Sequence, residues 1–339
     1  MSGVKCINKL LSIILCLSFL LTASGCGGTN YAMPYSANGP YAPAAYVTEV
    51  SQSKAPAFAS SISVVSTDVQ KGSFVLEKAG TAGLFDVNNK VALYTKNVHE
   101  KVYPASLTKV MTAVVALEYV HQQKEEGRIL NPMGMDLVVT ENTLIKEAGA
   151  ATAKLNVGDH MTLDQALHIL LIVSANDVAN LIAENVGGSI DHFVEMMNEK
   201  AKELGATNTH FTNAHGLTDL DHYTTAYDLY LIFNEAIKYD EFNQIINMTS
   251  YQTTFKDKNG KDISKDYKNT SLYFKGEVTA PENVTILGGK TGTTNAAGHC
   301  LILHCKDVKG NDYVAVVMRC LSNDVLYAEM NELLKEINN

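Results

Sequence analysis

Residues 284–321 read VTILGGKTGTTNAAGHCLILHCKDVKGNDYVAVVMRCL, and three β-rich runs inside that stretch decide the fold. The runs cover 284–290, 299–306 and 313–321. Each has the length and composition of a buried strand. Asp307 to Asp312 turns the last two back on each other, which makes them antiparallel neighbours. A matching signal lies far upstream. Residues 82–87 (AGLFDV) and 90–96 (KVALYTK) are apolar runs split by Asn88-Asn89, a hairpin pattern.

Between these ends the apolar period becomes helical. Pro104 forces Tyr103 into extended backbone. From Ser106, the positions Val110, Val114, Leu117 and Val120 carry a helix to about His121. Thr162 and Gln165 have capping-box spacing and open a helix to about Val173. Asp177 to Asn185 continues as a second helix and stops at Gly187-Gly188; Ser189 caps another that ends at Gly205. Thr225 to Tyr239 is a fourth, and 324–337 has the single apolar face of a closing helix. The stretch 127–160 is loop-like, and 251–281 is polar and mixed with a hairpin tip at Asn259-Gly260. Strands first, helices in the middle and strands last predict an α+β fold. Its expected form is one largely antiparallel sheet flanked by helices, with a helical region inserted.

The first 25 residues read as a cleaved export signal. Lys5 and Lys9 precede a twelve-residue apolar run, Leu10 to Leu21, too short to span a bilayer. Ala23, Ser24 and Gly25 stand before Cys26 and resemble the bacterial lipobox, with Ala23 where leucine is usual. That resemblance implies acylation of Cys26 and anchoring to a membrane through an N-terminal lipid. Residues 26–65 are expected to form a flexible tether, averaging about 35 Å if coil-like. Residues 66–339 remain for the folded domain.

Without the signal, 25 basic residues face 36 acidic ones, a net charge of −11 against −9 for the whole chain. With Arg128 and Arg319 as its arginines, such a chain is not expected to bind nucleic acid. Cys300, Cys305 and Cys320 are an odd set after Cys26 is assigned, and are expected as strand-buried thiols. No metal site is expected, because His210, His215 and His222 match no zinc spacing.

Chemistry concentrates in three strings: YPASLTKVMTA at 103–113, SAN at 174–176 and GGKTGT at 288–293. Ser106 and Lys109, three apart on a helix, share a face. The serine falls where backbone N–H groups are unpaired and the dipole is positive, a plausible nucleophile site. Lys109 serves as its base only with a lowered pKa, which burial and a second cation, Lys290, supply. Ser174 and Asn176 lie at a break between helices. Lys290, Thr291 and Thr293 offer a charge and hydroxyls suited to a carboxylate, and Gly292 lets a ligand backbone approach. Each string alone is ordinary; Ser-x-x-Lys also occurs at Ser2–Lys5 and Ser51–Lys54.

Together the strings resemble the active-site set of penicillin-recognising serine enzymes. They are most similar to the serine D-alanyl-D-alanine carboxypeptidases, the low-molecular-mass penicillin-binding proteins of peptidase S11 type. LLIVSANDVANLIAE, NTHFTNAHGLTDLDHYTTAYDL and GGKTGTTNAAGHCL extend the likeness over about residues 80–335. The resemblance implies a β-lactamase/transpeptidase-like, three-layer αβα fold without a cofactor, at work outside the cytoplasm on peptidoglycan stem peptides. It implies that Ser106 attacks the penultimate D-Ala and that Lys109 takes its proton. Ser174 then relays a proton to the leaving amine while Asn176 holds the geometry. Lys290, Thr291 and Thr293 hold the terminal carboxylate. The N–H groups of Ser106 and Thr293 form the oxyanion hole, and β-lactams acylate the same serine. His215 is expected either to flank the site or to bond locally to backbone.

Two departures stand out. The additional β domain and amphipathic C-terminal helix of many members are not expected here, about 50 residues beyond Lys290. The family's arginine before the closing helix is also missing: 320–334 contain no Arg or Lys, and Arg319 is shifted. Two other readings compete. A class A β-lactamase needs Glu-x-x-Leu-Asn, and the nearest candidate, Glu195 to Asn198, does not match. A lipid-anchored sensor would be acylated by β-lactams without turnover.

Overall fold

The computed structural model describes residues 58–70 and 72–338. The expected export signal, Cys26 and most of the tether lie outside them. Packing begins slightly before the expected boundary at residue 66. Ser63 is buried; its N–H donates to Tyr230 Oη at 2.8 Å and its carbonyl accepts from Tyr227 Oη at 3.0 Å.

In chain order the first half holds β1 (Thr81–Asp86), β2 (Val91–Lys96), α1 (Thr108–Glu125), β3 (Asp136–Val138), β4 (His160–Thr162), α2 (Leu163–Ile172), α3 (Asn176–Gly187) and α4 (Ile190–Glu203). Then follow α5 (Ala226–Ala236), α6 (Asp240–Ile246), β5 (Ser250–Lys256), β6 (Asp262–Lys268), α7 (Leu272–Lys275), β7 (Val284–Thr294), β8 (Gly298–Asp307), β9 (Asp312–Cys320) and α8 (Asn323–Lys335). Strands from both chain ends meet in one sheet, as expected. Among the described residues its order is β2-β1-β9-β8-β7, all antiparallel, with β7 at one edge.

Both faces of this sheet are covered, which explains the unbroken apolar runs of β8 and β9. Side chains alternate along a strand. Leu301, Leu303, Ala315 and Val317 pack with Leu326, Met330 and Leu333 of α8. Cys300, Ile302, Val314 and Val316 face the other way, into the core of α1, α2, α3 and α5. Each buried Leu or Val there contributes roughly 1.5–3 kcal/mol. The layers are thus helix, sheet and helical region.

Among the described residues a second antiparallel sheet, β3-β4-β5-β6, corrects the expectation of a single sheet. Asn259-Gly260 does form a hairpin tip, between β5 and β6. The strands went unread because they are barely buried. β6 (DISKDYK) has no fully buried residue, and β5 buries Phe255 alone. β3 and β4 are three residues each, below the length at which period is visible. The short helices α6 and α7 escaped for the same reason, and α1 runs to Glu125 rather than His121.

The expected caps hold. Thr162 and Gln165 form a reciprocal capping box on α2 (2.9 and 3.2 Å), worth about 1 kcal/mol. Ser189 caps α4. Ser322, not among the expected caps, does the same for α8. Cys300, Cys305 and Cys320 are free and buried. Burial pushes the Cys300 and Cys320 thiols up to about 12 and raises Cys305 as well, so they are unreactive core residues.

Candidate active site

Ser106 lies in a 3-10 turn, Ala105–Leu107, that runs directly into α1, rather than in the first turn of α1 itself. The cause is upstream. Pro104 enters with φ −74°, and Ala105 takes the left-handed φ of +48°. Such a conformation in a non-glycine residue costs about 1–3 kcal/mol and must be held by its surroundings. Lys109 still falls under Ser106, because the turn and the helix are continuous. The serine is half-buried, whereas Lys109 is completely buried.

The Lys109 amine has three partners. It lies 2.9 Å from Ser106 Oγ, 2.6 Å from Asn176 Oδ1 and 2.6 Å from the His215 carbonyl oxygen. The last two accept only. They therefore use two N–H groups of a neutral amine. The remaining lone pair then points at the one partner that can donate, the Ser106 hydroxyl. Neutrality is favoured by two causes. Burial lowers the Lys109 pKa well below the usual lysine range, and the nearby Lys290 charge lowers it further; Asp177 opposes them.

Lys290 is also buried, and burial pushes its pKa down to about 7. Its Nζ donates to Ser174 Oγ at 2.9 Å and to the Thr291 carbonyl at 2.8 Å. Ser174 occupies the break between α2 and α3 at φ +63°, a second strained backbone beside the same amines. Asn176 begins α3, its N–H held by the Ala151 carbonyl at 2.8 Å. One cluster thus unites Ser106, Lys109, Ser174, Asn176 and Lys290.

The rest of the GGKTGT string lies on β7. Gly292 presses against the serine turn: a Cβ there would come within 3.1 Å of Ser106 N. Thr293 is exposed, with Oγ1 3.4 Å from His299 Nδ1. Thr291 Oγ1 instead pairs with Thr270 Oγ1 at 2.7 Å. Arg319 forms an ion pair with Glu100 and shares a cavity of about 340 Å³ with Tyr103 and Ala296. His215 keeps its ring in the loop: Nδ1 accepts from the Leu217 N–H at 3.1 Å. Burial, with help from the Lys109 charge, pushes its pKa down to about 3. Its contribution to the cluster is its carbonyl. Glu195 sits on α4 beside His192, so it offers no deacylating base of the class A kind.

A family model described as D-alanyl-D-alanine carboxypeptidase matches residues 69–321. The chain belongs to the peptidase S11 family. This S11 chain is 32% identical over 270 residues to the D-alanyl-D-alanine carboxypeptidase DacF of Bacillus subtilis, covering 79% of this chain and 64% of that protein. It is 29% identical to DacC of Escherichia coli, covering 74% and 59% respectively. The chain therefore spans somewhat under two thirds of these relatives. The fold is similar to that of the Streptomyces K15 DD-transpeptidase, with a TM-score of 0.68 at 23% identity, covering 79% and 98% of the two chains.

Two residues of this S11 chain's site carried no signal in the sequence. Asp177 is buried behind Lys109, and its carboxylate accepts the N–H groups of Ala153 (2.9 Å), Leu155 (3.3 Å) and Val178 (2.9 Å). It fastens the 151–155 segment, which in turn holds Asn176. Thr270 bridges the halves of the cleft, since its N–H reaches the Ile172 carbonyl at 3.2 Å while its hydroxyl meets Thr291. An aspartate after Asn176 reads as a helix-start residue, and a threonine in a polar stretch reads as loop. Neither has a pattern that marks it.

Proposed function

We propose that this chain is a serine D-alanyl-D-alanine carboxypeptidase that removes the terminal D-Ala of peptidoglycan stem peptides through an acyl-enzyme. One observation carries the reading: a buried amine, held by two obligate acceptors, lies 2.9 Å from the hydroxyl of a half-exposed serine, so that in its neutral form its lone pair is left for that hydroxyl. Ser106 Oγ attacks the penultimate carbonyl carbon, and its proton passes to Lys109. The oxyanion rests on the Ser106 and Thr293 N–H groups. Collapse breaks the peptide bond, and the proton taken up by Lys109 passes by way of Ser174 to the departing amine, which leaves Lys109 neutral again while Lys290 holds the Ser174 hydroxyl. Water then cleaves the ester. Asn176 orients Lys109 throughout.

The terminal carboxylate falls to Lys290 and Thr293, at a site where Gly292 leaves room. Thr291 supports them through its bond to Thr270, and Arg319 is taken up by Glu100. β-Lactams acylate Ser106 and stay, because Glu195, the nearest match to the class A base, is held on α4 beside His192. The setting is the bacterial cell envelope. An export signal at 1–25, lipid on Cys26 and a tether to about residue 65 would anchor the 66–339 peptidase domain to the membrane. That part of the proposal rests on the sequence alone; among the described residues, no helix is long and apolar enough to cross a membrane.

The test is mass spectrometry of penicillin-treated protein followed by assay of D-Ala release from a pentapeptide. One adduct on Ser106 together with release supports the proposal. An adduct without release identifies a β-lactam sensor, and no adduct removes Ser106 as nucleophile.

A further inference from the structure

His222 is fully buried beside the serine turn, and its hydrogen bonds fix its tautomer. The Thr212 N–H can only donate, and it lies 3.0 Å from Nδ1. The proton is therefore on Nε2, which faces Thr108 Oγ1 at 2.8 Å. Thr108 Oγ1 in turn donates its own hydrogen bond to the Ala105 carbonyl at 2.8 Å. One directed chain thus runs from the 209–224 loop to the backbone just before Ser106.

That carbonyl belongs to a planar trans peptide whose other end is the Ser106 N–H. Fixing the oxygen on one side fixes the N–H on the opposite side. The N–H side is the cleft, where Gly292 approaches Ser106 N. Ala105 needs such a hold, because its φ of +48° is not one it keeps unaided. The imidazole is itself well mounted. The His222 backbone N–H donates to the Asp219 carbonyl at 3.1 Å, Phe211 packs edge-on at 5.6 Å, and Thr224 pairs with Val102.

We propose that His222 is a positioning residue, which through Thr108 sets the plane of the Ala105–Ser106 peptide and so aims the Ser106 N–H at the oxyanion. This rests on the reading of Ser106 as the nucleophile. Burial pushes the His222 pKa down to about 4, which keeps the ring neutral and the chain intact near pH 7.

Two amides divide the imidazole's bonds. His222→Gln places a donor near the Nε2 position and keeps the bond to Thr108. His222→Asn places an acceptor near the Nδ1 position, keeps Thr212 and loses Thr108. Time courses of fluorescent-penicillin labelling at several concentrations separate first-step binding from acylation. We expect His222→Asn and Thr108→Val to slow acylation about tenfold or more with binding unchanged. His222→Gln and Thr108→Ser should stay close to the wild-type rate. Equal slowing in Asn and Gln, matched by equal loss of melting temperature, would reduce His222 to a packing residue. A normal rate in His222→Asn would overturn the inference outright. If the His222 variants fail to fold, the Thr108 pair decides alone. Wild-type labelling on Ser106 is the control: its absence removes the nucleophile reading and this inference together, whereas its presence with a normal Asn variant removes only the inference.

Discussion

Lys290 Nζ donates to Ser174 Oγ at 2.9 Å, so a cation carried on the edge strand of the sheet closes on the break between two helices. The bond joins the cleft's two walls and sets a second amine near Lys109. This arrangement predicts a sharp division of labour. Ser106→Ala should show no covalent penicillin labelling, with circular dichroism and melting unchanged. Lys109→Ala should still label, but at least about a hundredfold more slowly, the typical worth of a general base. A Lys109→Ala protein that acylates at the normal rate would remove that amine from the mechanism.

The pH dependence of acylation should move in opposite directions in two variants. Acylation needs neutral Lys109, so its rate rises as that amine loses its proton. Lys290 lowers the Lys109 pKa, whereas Asp177 raises it. Lys290→Met should therefore shift the rising limb to higher pH. Asp177→Asn should shift it lower, and should also lose stability, because an amide cannot accept all three backbone N–H groups. Measured pH profiles that move together, or not at all, would contradict this electrostatic account.

Much of this was legible because chemistry and packing here use strong local signals. The main sheet showed itself through runs such as LILHC and YVAVVM, which both of its faces bury. The caps at Thr162 and Ser189 were readable from single residues. The second sheet was not, since β6 places Asp, Lys and Tyr alternately in a solvated surface with little apolar contrast. The functional strings were readable as a set, but the supports around them were not. Ala105 in a left-handed conformation, Thr270 across the cleft and the Asp177 carboxylate behind Lys109 are products of long-range packing. None has a period or motif of its own.

The lysines also predict a stability signature. The Lys290 pKa is pushed down to about 7 in the folded chain, against the ordinary lysine value when unfolded. Between those values the unfolded state holds the extra proton, so stability rises with pH. Below about 7 both states are protonated and the penalty for the buried charge is complete. Lys290→Met removes the penalty. The variant should melt higher than wild type at pH 6, with the gap closing towards pH 9.5. Thermal melts across that range check it; a gap that widens with pH would contradict the depressed pKa. The comparison stops short of pH 10, where tyrosines begin to titrate in the unfolded chain.

Gly216 offers a test of how tightly the His215 loop is pressed on the serine turn. It has φ +89°, and a Cβ there would stand 1.9 Å from the Ala105 carbonyl oxygen. Gly188 has a similar φ of +74° but open space around it. Gly188→Ala should therefore cost only the left-handed backbone, about 1–2 kcal/mol. Gly216→Ala adds a backbone collision that no rotamer relieves, and should cost about 3 kcal/mol or more. The two should differ in activity as well. Gly216 follows the carbonyl that accepts from Lys109, and it abuts the peptide that carries the Ser106 N–H. Any shift that relieves the collision moves both. Gly216→Ala should slow penicillin acylation even at temperatures where it remains folded, while Gly188→Ala should acylate like wild type. Denaturant melts and labelling rates on the same two proteins settle the matter; matching behaviour would mean that the loop is not packed as tightly as its geometry requires.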